Sequence, residues 1–238
     1  MATSRAAKKD LYGGEDPRHL PLYTVGEAAR YLHLAPATLR SWVVGRSYPR
    51  KTGPGFFAPL IQKPKAEDPR LSFANLIEAH VLRALRTQHA VSIQAVRTAL
   101  DYAEKPLGIQ RLLIRPELQT NAGDLFLEKY GELINLSKSG QYAMKRLLES
   151  YLQRVEWDRA EIPVRLFPFV LGNALEDRPI IAIDPFTSFG RPIIISKGVS
   201  TAMIAQRVDL GESLADVALD YGLEEREVEA ALLYERAA

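Results

Sequence analysis

The feature that most constrains this chain is a pair of short, tightly punctuated helical stretches, one near each end. Near the start, Thr24 stands three residues before Glu27. At that spacing a hydroxyl and a carboxylate reciprocally satisfy the first free N–H groups of a helix. Val25, Ala28, Ala29 and Leu32 then share one helical face, and His33 and Leu34 make a turn. A second helix follows from Ala35, with Pro36 in its first turn, where a missing N–H is harmless. Its Leu39, Trp42 and Val43 are apolar and pack on the first helix, while Thr38, Arg40 and Ser41 face elsewhere. Near the end, Gly211-Glu212-Ser213 and Asp220-Tyr221-Gly222 punctuate helices that finish at Ala231-Leu232-Leu233-Tyr234. Both ends carry a helix-turn-helix signature.

The two ends differ in charge. Residues 1–65 hold eleven Lys and Arg against four acids, a balance of +7. Residues 199–238 hold three basic residues against nine acids, a balance of −6. The overall +2 hides this split. A basic end suits a polyanion and an acidic end repels one. The final helix over residues 224–236 carries five glutamates against Arg226 and Arg236. Facing phosphate, that excess is repulsive. We read the last unit as a protein-interaction or dimerisation module, with Val217, Leu223, Val228, Leu232 and Leu233 in a three-helix core.

The 238 residues contain no cysteine, which excludes disulfides, thiolate chemistry and cysteine-ligated zinc. No apolar run approaches the ~20 residues that span a bilayer, and residues 1–18 are too polar for a secretory signal. The cytoplasm is therefore the expected compartment. No nucleophile elbow, glycine-rich phosphate loop or paired histidine motif occurs. His80 and His89 lack carboxylates at metal-ligand spacing and read as structural. The chain is not expected to be an enzyme or to hold a cofactor or metal.

Between the ends, residues 56–62 and 70–73 read as a hairpin tipped by Lys63-Pro64-Lys65, or else as a solvated loop. Residues 72–86 form an amphipathic helix, and Ser92 caps another carrying Ile93, Val96, Leu100 and Ala103. Residues 112–116, 124–128 and 132–136 read as short strands, with turns at Asn121-Ala122-Gly123 and Tyr130-Gly131. A helix over 141–157 and an extended stretch over 162–170 follow. Residues 180–183 and 193–195 form a strand pair around Phe189-Gly190-Arg191-Pro192.

The first unit resembles the winged helix-turn-helix of MerR-type regulators. The likeness rests on Tyr23-Thr24-Val25-Gly26-Glu27-Ala28-Ala29, Leu39-Arg40-Ser41-Trp42 and Leu71-Ser72-Phe73. It implies that Arg40 and its neighbours contact DNA. The chain departs from that family in a longer, proline-rich wing, and it lacks the long dimerisation helix and effector pocket. The last unit resembles a small family of bacterial antitoxin-like domains found beside PIN-domain toxins. That likeness rests on Ile183-Asp184-Pro185, Phe189-Gly190-Arg191-Pro192, Gly211-Glu212-Ser213, Asp220-Tyr221 and residues 231–234. Where the family has Gly-Thr-Arg after its apolar strand, Ser196-Lys197-Gly198 stand here. Together the two units resemble the larger VapB-type antitoxins.

These readings give a mainly α fold with small β elements (α+β). A flexible basic arm (1–20) precedes a DNA-binding winged unit (21–90), a middle α+β segment (91–172) and an antitoxin-like helix-turn-helix domain (173–238). The expected DNA contacts are Thr38, Arg40, Ser41, Arg46, Arg50, Lys51, Lys63 and Lys65. A PIN-like ribonuclease, by family resemblance, holds metal in a carboxylate cluster, which a planar guanidinium fork suits. Arg191, Arg178 and Arg207 are the expected toxin contacts, with Arg191 best placed in its proline-limited turn. Alternatively Arg191 only holds a local carboxylate such as Asp184. The expected function is a homodimeric antitoxin that binds a PIN-like ribonuclease toxin encoded nearby and represses its own operator. The alternative is a stand-alone regulator whose last unit only dimerises.

Overall fold

The computed structural model describes residues 12–49, 53–87, 93–135, 137–169 and 179–237. Helix α1 (Val25–Tyr31) opens with the expected capping box: the Glu27 N–H donates to Thr24 Oγ1 at 3.2 Å, and the Thr24 N–H donates to Glu27 Oε2 at 2.9 Å. His33 takes a left-handed conformation (φ 49°) in the turn. Helix α2 (Pro36–Val44) follows, with Leu39, Trp42 and Val43 buried.

The hairpin beside α2 is not the expected one. Strand β1 (Arg46–Tyr48) pairs antiparallel with β2 (Gly55–Phe57), in place of the expected pairing of residues 56–62 with 70–73. Pro59, Pro64 and Pro69 leave residues 58–70 poor in ladder donors. Instead, the N–H groups of Leu60 and Ile61 both reach the Trp42 carbonyl, and Leu71 pairs with Tyr23.

Helix α3 (Phe73–Thr87) is the axis of the larger core. Every residue from Leu71 to Leu82 is buried, polar ones included. Those polar groups are partnered, as burial demands. Ser72 and Asn75 cap each other, the Asn75 amide donates to Glu78 at 2.9 Å, and Arg111 donates to Glu78 at 2.8 Å. Helix α4 (Ile93–Leu107) packs along α5 (Asn121–Leu133), and α3 packs on α6 (Lys138–Leu152). The Ser92 cap lies outside the described residues.

The expected strands of residues 112–136 are not formed. Two 3₁₀ turns (Leu112–Ile114 and Pro116–Gln119) lead into α5. Ala122 with Gly123, Phe126 with Leu127 and Tyr130 with Gly131 are buried as adjacent pairs four residues apart, a pattern that a helix provides and an alternating strand does not. Gly123 and Gly131 are contact glycines rather than turn formers, pressed on the Leu118 backbone and the Gln141 side chain. Helix α6 starts earlier than expected, because Ser137 caps it, and stops at Leu152. Residues Val155–Trp157 leave it as β3, paired with β4 (Pro163–Leu166).

Leu166 bridges to Ile183 and so links β4 to the last unit. There β5 (Ile181–Ala182), β6 (Ile193–Ile194) and β7 (Val199–Ser200) form an antiparallel sheet. It packs with α7 (Thr201–Asp209), α8 (Leu214–Tyr221) and α9 (Glu225–Arg236). Their own core gathers Ile181, Ile194, Ile204, Val217, Val228, Ala231 and Tyr234. The architecture is mostly helical with small antiparallel sheets, an α+β fold. No described helix is long and apolar enough to cross a membrane.

Candidate functional site

Turning Leu39, Trp42 and Val43 inward fixes what α2 shows outside. Ala37, Arg40 and Val44 are exposed, at the i, i+3, i+7 positions of one face. Thr38 and Ser41 lie half-buried at its margin, and the Ser41 hydroxyl donates to the Thr38 carbonyl at 2.7 Å. Gly45 ends the helix at φ 86°. A Cβ there would stand 2.6 Å from the Phe56 ring, so only glycine lets the wing cross the helix end so closely.

Arg46 is exposed at the start of β1, opposite Phe57. Tyr48 stacks on Phe57 with ring centroids 4.0 Å apart, which pins the hairpin. Phe56, on the alternate face of β2, is 60 % exposed. Arg50 and Lys51 lie outside the described residues. Lys63 is engaged locally, donating to the carbonyls of Ala66 (2.7 Å) and Asp68 (3.0 Å). Lys65 is exposed in the same loop. The structure therefore exposes Arg40 and Arg46, leaves Thr38 and Ser41 half-buried on α2, and sets Lys63 and Lys65 in a separate loop. Sequence reasoning missed Ala37, Val44 and Phe56. The helical spacing opposite Leu39 and Trp42 marks Ala37 and Val44 as outward-facing, whereas the exposure of Phe56 follows from the wing's register, which the sequence did not reveal.

At the other end, Arg191 is exposed after a strained turn in which Ser188 and Phe189 have φ near 50°. Gly190 (φ 72°) abuts the Tyr23 hydroxyl, so the turn presses on the first unit. Arg191 does not hold Asp184. That buried carboxylate accepts from Arg165 at 3.1 Å and from the Phe186 N–H at 2.8 Å. Arg191 instead lies on the side of Glu27. Burial alone would raise the Glu27 carboxyl, but hydrogen bonds from Thr24 and the charges of Arg30 and Arg191 hold it below its ordinary value. Arg207 is committed within its own unit. It pairs with Glu212 and, at 2.6 Å, with Asp220, and its guanidinium sits over the Tyr221 ring. Arg178 lies outside the described residues.

Helix α9 is spent on holding the two units together. The Tyr234 hydroxyl donates to the Tyr31 carbonyl, and His33 Nε2 meets the Tyr234 carbonyl at 3.0 Å. Glu225 and Glu229 remain on its exposed face. Among the described residues, no group of three His, Asp or Glu side chains is gathered to hold a metal ion.

Residues 21–100 match the family model described as "Putative DNA-binding HTH domain". Residues 181–234 match the one described as "Protein of unknown function (DUF433)". Over 86 % of its length, and 89 % of the relative's, the chain is 31 % identical to the Mycobacterium tuberculosis protein named "Putative antitoxin VapB45". The chain belongs to the VapB45 antitoxin family. A second M. tuberculosis relative, "Uncharacterized protein Rv2308", is 26 % identical over 90 % of this chain and 89 % of its own. The crystal structure of Rv2018 from M. tuberculosis superposes with a TM-score of 0.64 at 26 % identity, covering 90 % of this chain and 98 % of that one. The likeness to VapB45 and Rv2018 thus spans both helix-turn-helix units and the segment between them. Membership in the VapB45 family, with its DNA-binding type of helix-turn-helix, points to a non-enzymatic regulator.

Proposed function

We propose that this protein is the antitoxin of a type II toxin–antitoxin pair. It neutralises a PIN-like ribonuclease through its last unit and represses its own operon, as a homodimer, through the first. The DNA-binding unit works in the MerR-like manner, with α2 in the major groove and the β1–β2 wing on the backbone. The observation that carries this reading is the exposed face of α2, where Arg40 is open to solvent while Leu39, Trp42 and Val43 are consumed by the core. The same fold turns α9 inward and leaves acids outside, so the last unit is built for protein rather than phosphate.

Arg191 is the residue assigned to the toxin, because it is exposed on a turn fixed by Gly190 and Pro192. A guanidinium held so can form a paired hydrogen bond with a metal-site carboxylate. The cytoplasm is the compartment this reading requires. The test is co-expression of the full-length chain with the product of its neighbouring gene. Co-purification together with rescued growth supports the pairing. Operator binding without any such partner favours the stand-alone regulator.

A further inference from the structure

The exposed positions of α2 carry few hydrogen-bonding groups, Thr38 and Ser41 lying half-buried at the margin with the Ser41 hydroxyl turned to the Thr38 carbonyl. Those exposed residues are Pro36, Ala37, Arg40 and Val44, and of them only Arg40 can bond to a base edge. Val44 is 56 % exposed. The exposed Phe56 ring packs over Gly45, the residue that follows Val44, and continues the apolar strip from the helix end onto the wing. Along the chain Arg40 precedes this strip and the exposed Arg46 follows it, at the basic end of the sequence. Cations on both sides bring it to a polyanion, and duplex DNA is the polyanion a short exposed helix fits.

The one apolar feature that bases show in the major groove is the 5-methyl group of thymine. From residue 37 to residue 44 a helix rises about 10 Å, which spans about three base-pair steps. Arg40 lies between the two apolar positions. We infer that α2 reads a guanine with Arg40 and thymine methyls on either side of it with Ala37 and Val44, the Phe56 ring extending the apolar contact beyond Val44. The specificity is thus set by methyl groups as much as by hydrogen bonds. The inference rests on the DNA-binding reading above and names what that surface recognises.

The test uses the full-length protein. A binding duplex is first selected from a randomised pool. Each thymine of a half-site is then replaced by deoxyuridine, which removes the methyl and leaves every hydrogen bond. Affinity is expected to fall about fourfold at each methyl that is contacted, the equivalent of one buried methyl-sized group. Val44→Ser should bind thymine and deoxyuridine duplexes equally at one of those positions, and Phe56→Ala should weaken the response beside it. Both side chains are exposed, so the variants keep the fold. If the native protein binds thymine and deoxyuridine duplexes alike at every position, the inference is overturned while DNA binding stands. If no duplex is selected at all, both fall.

Discussion

The hydroxyl of Tyr234 donates to the carbonyl of Tyr31 at 2.8 Å, across 203 residues of chain. Both residues are buried, and the bond joins the last helix to the first. The ring of His33 closes the same contact, 4.9 Å from that of Tyr234. Tyr234→Phe keeps the packing and leaves the Tyr31 carbonyl without this donor. A cost of about 1–3 kcal/mol is expected, which lowers the melting temperature by about 2–4 °C per kcal/mol for a chain of this size. A calorimetric midpoint equal to the native one would show that the bond adds nothing net.

Arg40 and Arg46 are separable by their kind of contact. Arg40→Ala should cost about 1–3 kcal/mol in binding and relax selectivity at one base pair. Arg46→Ala should weaken all duplexes alike and reduce the slope of affinity against salt by about one. Anisotropy titrations at several salt concentrations separate these outcomes. Unchanged affinity in both variants would sink the assignment of this surface to DNA.

The two arginines of the last unit should behave oppositely. Arg191→Glu reverses an exposed charge and is expected to abolish rescue of growth when the full chain is co-expressed with its toxin. Arg207→Ala removes the partner of Glu212 and Asp220 and should loosen the α7–α8 turn without ending rescue. A fragment beginning near residue 160 is a poor substitute for these variants, because Tyr234 would lose its cover from Tyr31 and His33. Should rescue survive Arg191→Glu but not Arg207→Ala, the toxin surface lies elsewhere on the unit.

His80 makes stability sensitive to acid. Burial holds its imidazole down to about 3, against an ordinary 6.5, and the charges of Arg83 and Arg154 add to this. Its Nε2 lies 3.1 Å from the Tyr151 carbonyl, which selects the neutral tautomer that donates there. The unfolded chain takes up a proton near pH 6.5 and the folded chain does not until near pH 3. Stability is therefore full above about pH 6.5 and falls as the pH drops through this window, by on the order of 2 kcal/mol at pH 5. Burial lowers His19 and His33 as well, which adds in the same sense. Urea denaturation at pH 7 and pH 5 should show a smaller difference for His80→Leu than for the native chain. An equal difference would mean that His80 carries no part of the acid response.

The sequence by itself determined the elements whose signals are local. Thr24 and Glu27 fix the start of α1, and Ser213 and Gly222 bound α8, because caps act within one helical turn. Leu39, Trp42 and Val43 fix which side of α2 is buried, since helical spacing leaves no other choice. The charge split between the ends was legible for the same reason: it is a count. Only the tertiary structure decided the rest. Residues 121–133 carry apolar groups compatible with short strands, and the helix won because Phe126, Leu127 and Tyr130 can share one core only on a helix, where neighbours need not point to opposite faces. Gly123 and Gly131, which look like turn formers, sit where a Cβ would meet the Leu118 backbone and the Gln141 side chain. The ion pairs of Arg207, the release of Arg191 from Asp184, and the meeting of Tyr31 with Tyr234 were all decided by three-dimensional neighbours. Long-range contacts depend on which surfaces pack together, and that choice is made by the burial of the whole chain rather than by any one segment.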